Sequence, residues 1–181
     1  MKLRLLLVAL CAVLAMFTGA CSSPDSPKAK PTATATPSQS QAPKMPALAR
    51  ENSEAGAEAF VRHFIEVLND SQWDGETQAV LDLSAPTCTN CHNMAEAIQD
   101  IKNAGGSFEG GLLVAHALTT TFGKDKTIVS IESEFTEGSV TLERSAKPKH
   151  LPASRKELHF DLTYSAQENS WVVDEIATDL K

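Results

Sequence analysis

The four cysteines of this 181-residue chain fall into three chemical settings. Cys11 lies inside an apolar run near the N-terminus. Cys21 follows Thr18-Gly19-Ala20, where small side chains admit a signal peptidase and a thiol can take a diacylglyceryl group through a thioether bond. Cys88 and Cys91 stand two residues apart in Cys88-Thr89-Asn90-Cys91-His92. In an oxidising exterior that spacing closes as a disulfide whose role is local rigidity. Two sharper chemistries share the spacing. With His92 it matches a c-type haem attachment pattern, in which two thioethers fix the porphyrin and the histidine is an axial ligand. A reactive dithiol at a helix N-terminus is the other, but it needs a strand leading into the motif, and the upstream residues read as helix. Structural zinc needs two further ligands, and His92 is too close and too few. The expectation is a disulfide with no cofactor and no metal.

Lys2 and Arg4, the apolar stretch from Leu5 to Phe17 and the small residues before Cys21 together read as a lipoprotein signal over residues 1–20. Thirteen apolar residues are too few to cross a hydrocarbon core of about 30 Å, so a cleaved signal is expected rather than a permanent span. Acylated Cys21 would then hold the bilayer from the extracytoplasmic side, because two or three chains anchor stably where one is marginal. Residues 21–47 follow as a tether. Six of the nine prolines lie between Ser22 and Pro46, among Thr, Ser, Ala and Gln and with no aromatic residue, so this segment cannot bury enough surface to offset its ordering entropy.

Residues 48–181 have a globular composition and suffice for one domain with one core. Without Lys2 and Arg4, 14 basic side chains face 23 acidic ones, which argues against nucleic acid as a partner and against broad contact with anionic lipid. Ser53 or Asn52 can cap a first helix with Phe60, Phe64, Ile65 and Leu68 on one face; a short second helix runs from Glu76 to Leu83, before Pro86. Met94, Ala97, Ile98 and Ile101 predict a third helix after the cysteine pair, stopped by Gly105-Gly106. The period then changes to two. Leu112 to Phe122, Val129 to Phe135, Val140 and Leu142, Leu158 to Tyr164, and Trp171 to Ile176 predict five strands. Helices first and strands afterwards imply an α+β fold, with N-terminal helices packed on one curved antiparallel sheet.

Within that fold, His116 shares a strand face with Val114 and Leu118 and is expected to be buried and hydrogen-bonded or to act as a base in a pocket, with Tyr164 as a second pocket candidate. His159 and Asp161 alternate with Leu158, Phe160 and Leu162, so they are expected on the solvent face. Lys147, Lys149, His150, Arg155 and Lys156 form a basic cluster in a loop between strands, suited to an anionic cell-wall polymer or an acidic envelope protein, or to no partner at all.

The run Glu58-Ala59-Phe60-Val61-Arg62-His63-Phe64-Ile65, the later Cys88-x-x-Cys91 and the Gly105-Gly106 stop resemble a family of actinobacterial lipoproteins that carry domain of unknown function 6318. The resemblance covers roughly residues 48–176 and brings no catalytic residues. The order of elements is also similar to the cystatin-like cone of nuclear-transport-factor-2-like proteins, which implies a sheet wrapped by its helices. The resulting expectation is a membrane-anchored, non-enzymatic binding module of the cell envelope. A small-pocket enzyme on the same cone is the alternative, followed by a haem or dithiol redox protein.

Overall fold

Ser53 is extended and its hydroxyl accepts a hydrogen bond from the Gly56 backbone N–H at 3.1 Å, which starts the 21-residue helix α1, Glu54–Asp74. In the computed structural model, which describes residues 42–124 and 126–178, a single 3-10 turn at Leu48–Arg50 precedes it. Cys21 and the signal lie outside the described residues. Gly75 ends α1 with φ of 83°, a left-handed backbone that a Cβ would strain, and a Cβ there would also press on the Lys102 side chain. Phe60, Val61, Phe64, Val67 and Leu68 form the buried stripe of α1. Met45, in the segment read as tether, is partly buried against the same core. Among the described residues no helix is long and apolar enough to cross a membrane.

Helix α2, Gln78–Asp82, is shorter than the pattern predicts, and α3, Thr89–Asn103, begins at the cysteine pair. Cys88 is its N-cap residue. The Cys91 N–H points at Cys88 Sγ at 3.3 Å, so a sulfur stands where a serine or aspartate oxygen normally receives the first free amides.

Seven strands follow: β1 Ser107–Gly110, β2 Leu113–Thr121, β3 Thr127–Phe135, β4 Gly138–Thr141, β5 Lys149–Leu151, β6 Ser154–Ser165 and β7 Ser170–Ala177. They make two antiparallel sheets rather than the one expected, in the orders β1-β4-β5 and β2-β3-β6-β7. The α+β class and the packing of helices on the larger sheet are as expected. Val129, Ile131, Leu158, Phe160 and Leu162 face the helices, and Phe64 of α1 meets Phe160 edge-on at 5.8 Å between ring centres.

Two irregularities decide which side chains reach that core. Between Asp161 and Leu162 the β6–β7 register shifts, so Phe160 pairs with Ile176 and Leu162 with Val173. The extra residue in β7 lets Val173 and Ile176, three apart, both point inward. Between Ala115 and Leu118 the β2–β3 register shifts in the same way. Leu113, Ala115 and Leu118 therefore share the inner side, and His116 goes to the other.

Both free edges of the larger sheet are closed by groups from the helical half. At β7, the Ala85 N–H donates to the Val173 carbonyl and the Val173 N–H to the Leu83 carbonyl, at 2.8 and 2.9 Å. At β2, the Asn69 side chain acts as a one-residue strand. Its Nδ2 donates to the Leu113 carbonyl at 2.8 Å while its Oδ1 accepts from the Leu113 N–H at 3.0 Å.

Candidate functional site

Where α3 leaves the sheet, an apolar cleft of about 480 Å³ opens between helix and strands. Met94 and Ala97 of α3 form one wall; Leu68 of α1 and the inward side chains Leu113, Leu158 and Phe160 form the other. Phe135 and Ile176 complete the floor, and Asn90, Asn93 and Thr178 stand at the mouth. Among the described residues that line it, none is charged. A volume of this size is in the range that holds a small organic ligand, and such sites are mostly apolar with a few placed polar groups.

Asn90 links the two sides of the mouth. Its Nδ2 donates to the Ile176 carbonyl at 2.8 Å and to Glu175 Oε1 at 3.0 Å, which ties the first turn of α3 to the end of β7. The disulfide between Cys88 and Cys91 fixes that same turn, with both residues fully buried and their Cα atoms 5.3 Å apart. The expected bond is therefore present. It commits both sulfurs, leaving neither for a thioether to haem, and its burial withholds it from the attacking thiolate that a redox dithiol must meet. His92 is exposed on α3. No group of three His, Cys, Asp or Glu side chains is placed to hold a metal ion among the described residues.

The two sequence-derived pocket residues are not brought together. His116 is on the solvent side of β2 with its side chain 45% exposed, which corrects the expectation of a buried histidine; the β2 irregularity is the cause, because it breaks the alternation that grouped His116 with Leu118. Its Nε2 lies 3.1 Å from Glu134 Oε2, and Arg155 Nη2 lies 2.9 Å from that same oxygen. The Arg155 guanidinium, and after it the His116 ring, hold the Glu134 carboxyl below the usual carboxylate range. His116 and Arg155 line a shallow, open recess of about 500 Å³ together with Glu132, Lys156 and Glu157, on the solvent side of the larger sheet.

Tyr164 lines a smaller recess of about 300 Å³ with Asn52, Phe122, Lys126 and Trp171, at the other end of β7 from the apolar cleft. Its hydroxyl lies 3.0 Å from the Arg50 carbonyl and 2.6 Å from Asn169 Oδ1, and its ring meets Trp171 edge-on at 5.0 Å. Trp171 Nε1 donates to the Glu51 carbonyl at 2.9 Å. Tyr164 and Trp171 thus fasten the start of the domain, an anchoring role for the Tyr164 hydroxyl.

His159 is 5% exposed rather than solvent-facing, with Nδ1 2.8 Å from Ser130 Oγ on the paired strand. His63 of α1 is also buried, and its Nδ1 has no hydrogen-bond partner; burial pushes its pKa below the ordinary histidine value. Lys149 and His150 of the basic cluster lie in β5, Arg155 and Lys156 in β6, so these four are in paired strands rather than in a loop.

These features describe an α+β domain whose helices and larger sheet enclose an uncharged apolar cleft beside a disulfide. The chain belongs to the family of unknown function DUF6318, whose profile matches residues 29–177. Two solved structures are similar in fold. The intermembrane-space region of the chloroplast protein ARC6 shares 9% identity, covers 71% of this chain and 98% of its own, and has a TM-score of 0.48. A putative calcium/calmodulin-dependent protein kinase II association domain from Xanthomonas campestris shares 12% identity, covers 75% and 93% respectively, and has a TM-score of 0.45. Among curated proteins no sequence relative matches.

Proposed function

We propose that this chain is a lipid-anchored extracytoplasmic binding module that holds a small apolar ligand in the cleft between α3 and the larger sheet. The observation that carries the reading is the composition of that cleft: side chains from α1, α3 and all four strands of the sheet line it, and none of those described is charged. An aliphatic chain that enters the cleft gains about 0.8 kcal/mol for each methylene it buries. The compartment is supported by the signal pattern ending at Cys21 and by the Cys88–Cys91 bond, which suits an oxidising exterior. Anchoring follows from Cys21 acylation and needs no other membrane contact.

Two measurements test the proposal. Intact-mass analysis of the protein from a membrane fraction should show a chain starting at Cys21 with added diacylglyceryl mass; a different N-terminus or an unmodified thiol refutes the anchor. A photoreactive alkyl ligand should label Met94 and neighbouring cleft residues, and Ala97→Trp, which places an indole across the wall, should reduce labelling at least tenfold. Equal labelling of the two proteins would refute the cleft as the binding site.

A further inference from the structure

We infer that the cleft selects an aliphatic ligand with an uncharged, hydroxyl-type head over an anionic or a cationic one of the same chain length. This rests on the cleft being the binding site proposed above and concerns the groups that would meet a ligand head at its mouth. Three side chains provide polar atoms there: Asn90, Asn93 and Thr178. The orientation of the Asn90 amide is fixed by its neighbours, because the Ile176 carbonyl at 2.8 Å and Glu175 Oε1 at 3.0 Å are both acceptors and only Nδ2 can serve them. Both Asn90 N–H groups have an acceptor in these bonds. Oδ1 is then the atom Asn90 offers, and it is an acceptor that asks for a donor from the ligand.

Charge narrows the head further. No Lys, Arg or His is present among the described lining residues, so a carboxylate, sulfonate or phosphate head would lose hydration without gaining a counter-charge. Among the described residues the Glu175 carboxylate stands one hydrogen bond behind Asn90, and it repels an anion. A cation fares little better. An ammonium head also leaves water for a cleft with no ionised side chain among its described lining residues, and Asn90 stands between it and the Glu175 carboxylate. A hydroxyl both donates and accepts. It satisfies Asn90 Oδ1 as donor and can exchange either role with the Asn93 amide and the Thr178 hydroxyl.

The test uses the full chain in phospholipid nanodiscs, with an alkyl diazirine alcohol as photoprobe and empty nanodiscs as blank. Labelled residues are located by peptide mass spectrometry, and dodecanol, dodecanesulfonate and dodecylammonium compete at pH 8. The expected result is labelling at the cleft that dodecanol suppresses at a concentration at least tenfold lower than either charged competitor. In Asn90→Leu, labelling should persist while the preference for dodecanol shrinks severalfold. Comparable competition by dodecanesulfonate or dodecylammonium overturns the head-group inference and leaves the cleft standing as a site. Absence of cleft labelling in the wild-type chain overturns the binding reading itself, and the inference with it.

Discussion

Replacing Asn69 by alanine isolates the contribution of one side chain that closes a sheet edge. The amide gives one hydrogen bond to the Leu113 carbonyl at 2.8 Å and takes one from the Leu113 N–H at 3.0 Å, and Leu113 is only 4% exposed. Alanine leaves both backbone groups without a partner. An unsatisfied buried group costs about 1–3 kcal/mol, and these are part-buried, so the lower half of that range applies to each. Alanine returns about 0.5 kcal/mol through its better helix propensity in α1. The net loss is then about 2 kcal/mol, or a fall in Tm of about 6–8 °C for a domain of this size. Urea unfolding followed by circular dichroism measures it, with the exposed Arg62→Ala on the same helix as the reference, expected within about 0.5 kcal/mol of the parent. Asn69→Asp adds a second readout. It keeps an acceptor for the N–H but sets a carboxylate oxygen against the Leu113 carbonyl, so its deficit should shrink as the pH falls and the acid becomes a donor. A loss below about 0.5 kcal/mol in Asn69→Ala, or unchanged exchange protection at the Leu113 amide, refutes the edge-closing role.

The double change Cys88→Ser with Cys91→Ser should cost about 2 kcal/mol from the four-residue loop, plus the cost of hydroxyls in a fully buried site, measured by thermal unfolding with and without reductant. His63 should make stability depend on pH. Its folded pKa lies below the unfolded value of about 6.5, so the stabilisation is complete above that value and is lost as the pH falls from there toward the folded pKa. His63→Leu should flatten the unfolding free energy between pH 7 and pH 5, and an unchanged slope would assign the effect elsewhere. Gly75→Ala should cost about 1 kcal/mol in chemical denaturation, because alanine must adopt a φ of 83° and press on Lys102. Arg155→Ala should leave the unfolding midpoint close to that of the parent and return the Glu134 pKa toward the ordinary carboxylate range, as read by carboxyl NMR titration.

Much of the fold is legible because its longest elements announce themselves by period. The α1 stripe of Phe60, Phe64 and Leu68 and the alternation of Leu158, Phe160 and Leu162 are each long enough for the apolar repeat to fix element and face. The smaller sheet is legible only at β4, where the expected strand at Val140 is found; β1 and β5 have four and three residues, too few for an alternation to repeat, and Gly110 at the end of β1 reads as loop. Faces fail where strands gain a residue. His116 shares a side with Val114, and both are exposed; the shift between Ala115 and Leu118 turns Leu118 to the core side without them. The cleft is invisible to sequence for a different reason. Its lining comes from six elements whose apolar residues look like ordinary core, and only their arrangement in three dimensions leaves a gap among them. One signal was available: Asn90 and Asn93, three apart in the first turn of a helix otherwise apolar on that side, are polar residues beside Met94 and Ala97.

The fastening of Arg50 and Glu51 to Tyr164 and Trp171 has a mechanical consequence. Tension arriving along the chain ahead of Leu48 is delivered to the hairpin between β6 and β7 through two hydrogen bonds, made by a pair of rings that meet edge-on. Ala177 at the cleft lies six residue steps along β7 from Trp171, a run of about 20 Å at 3.3 Å per residue. Traction at one end of this strand is shared with the neighbouring β6 along their paired length before it reaches the far end, so a pull on the residues ahead of Leu48 is spread over two strands before it can deform the cleft.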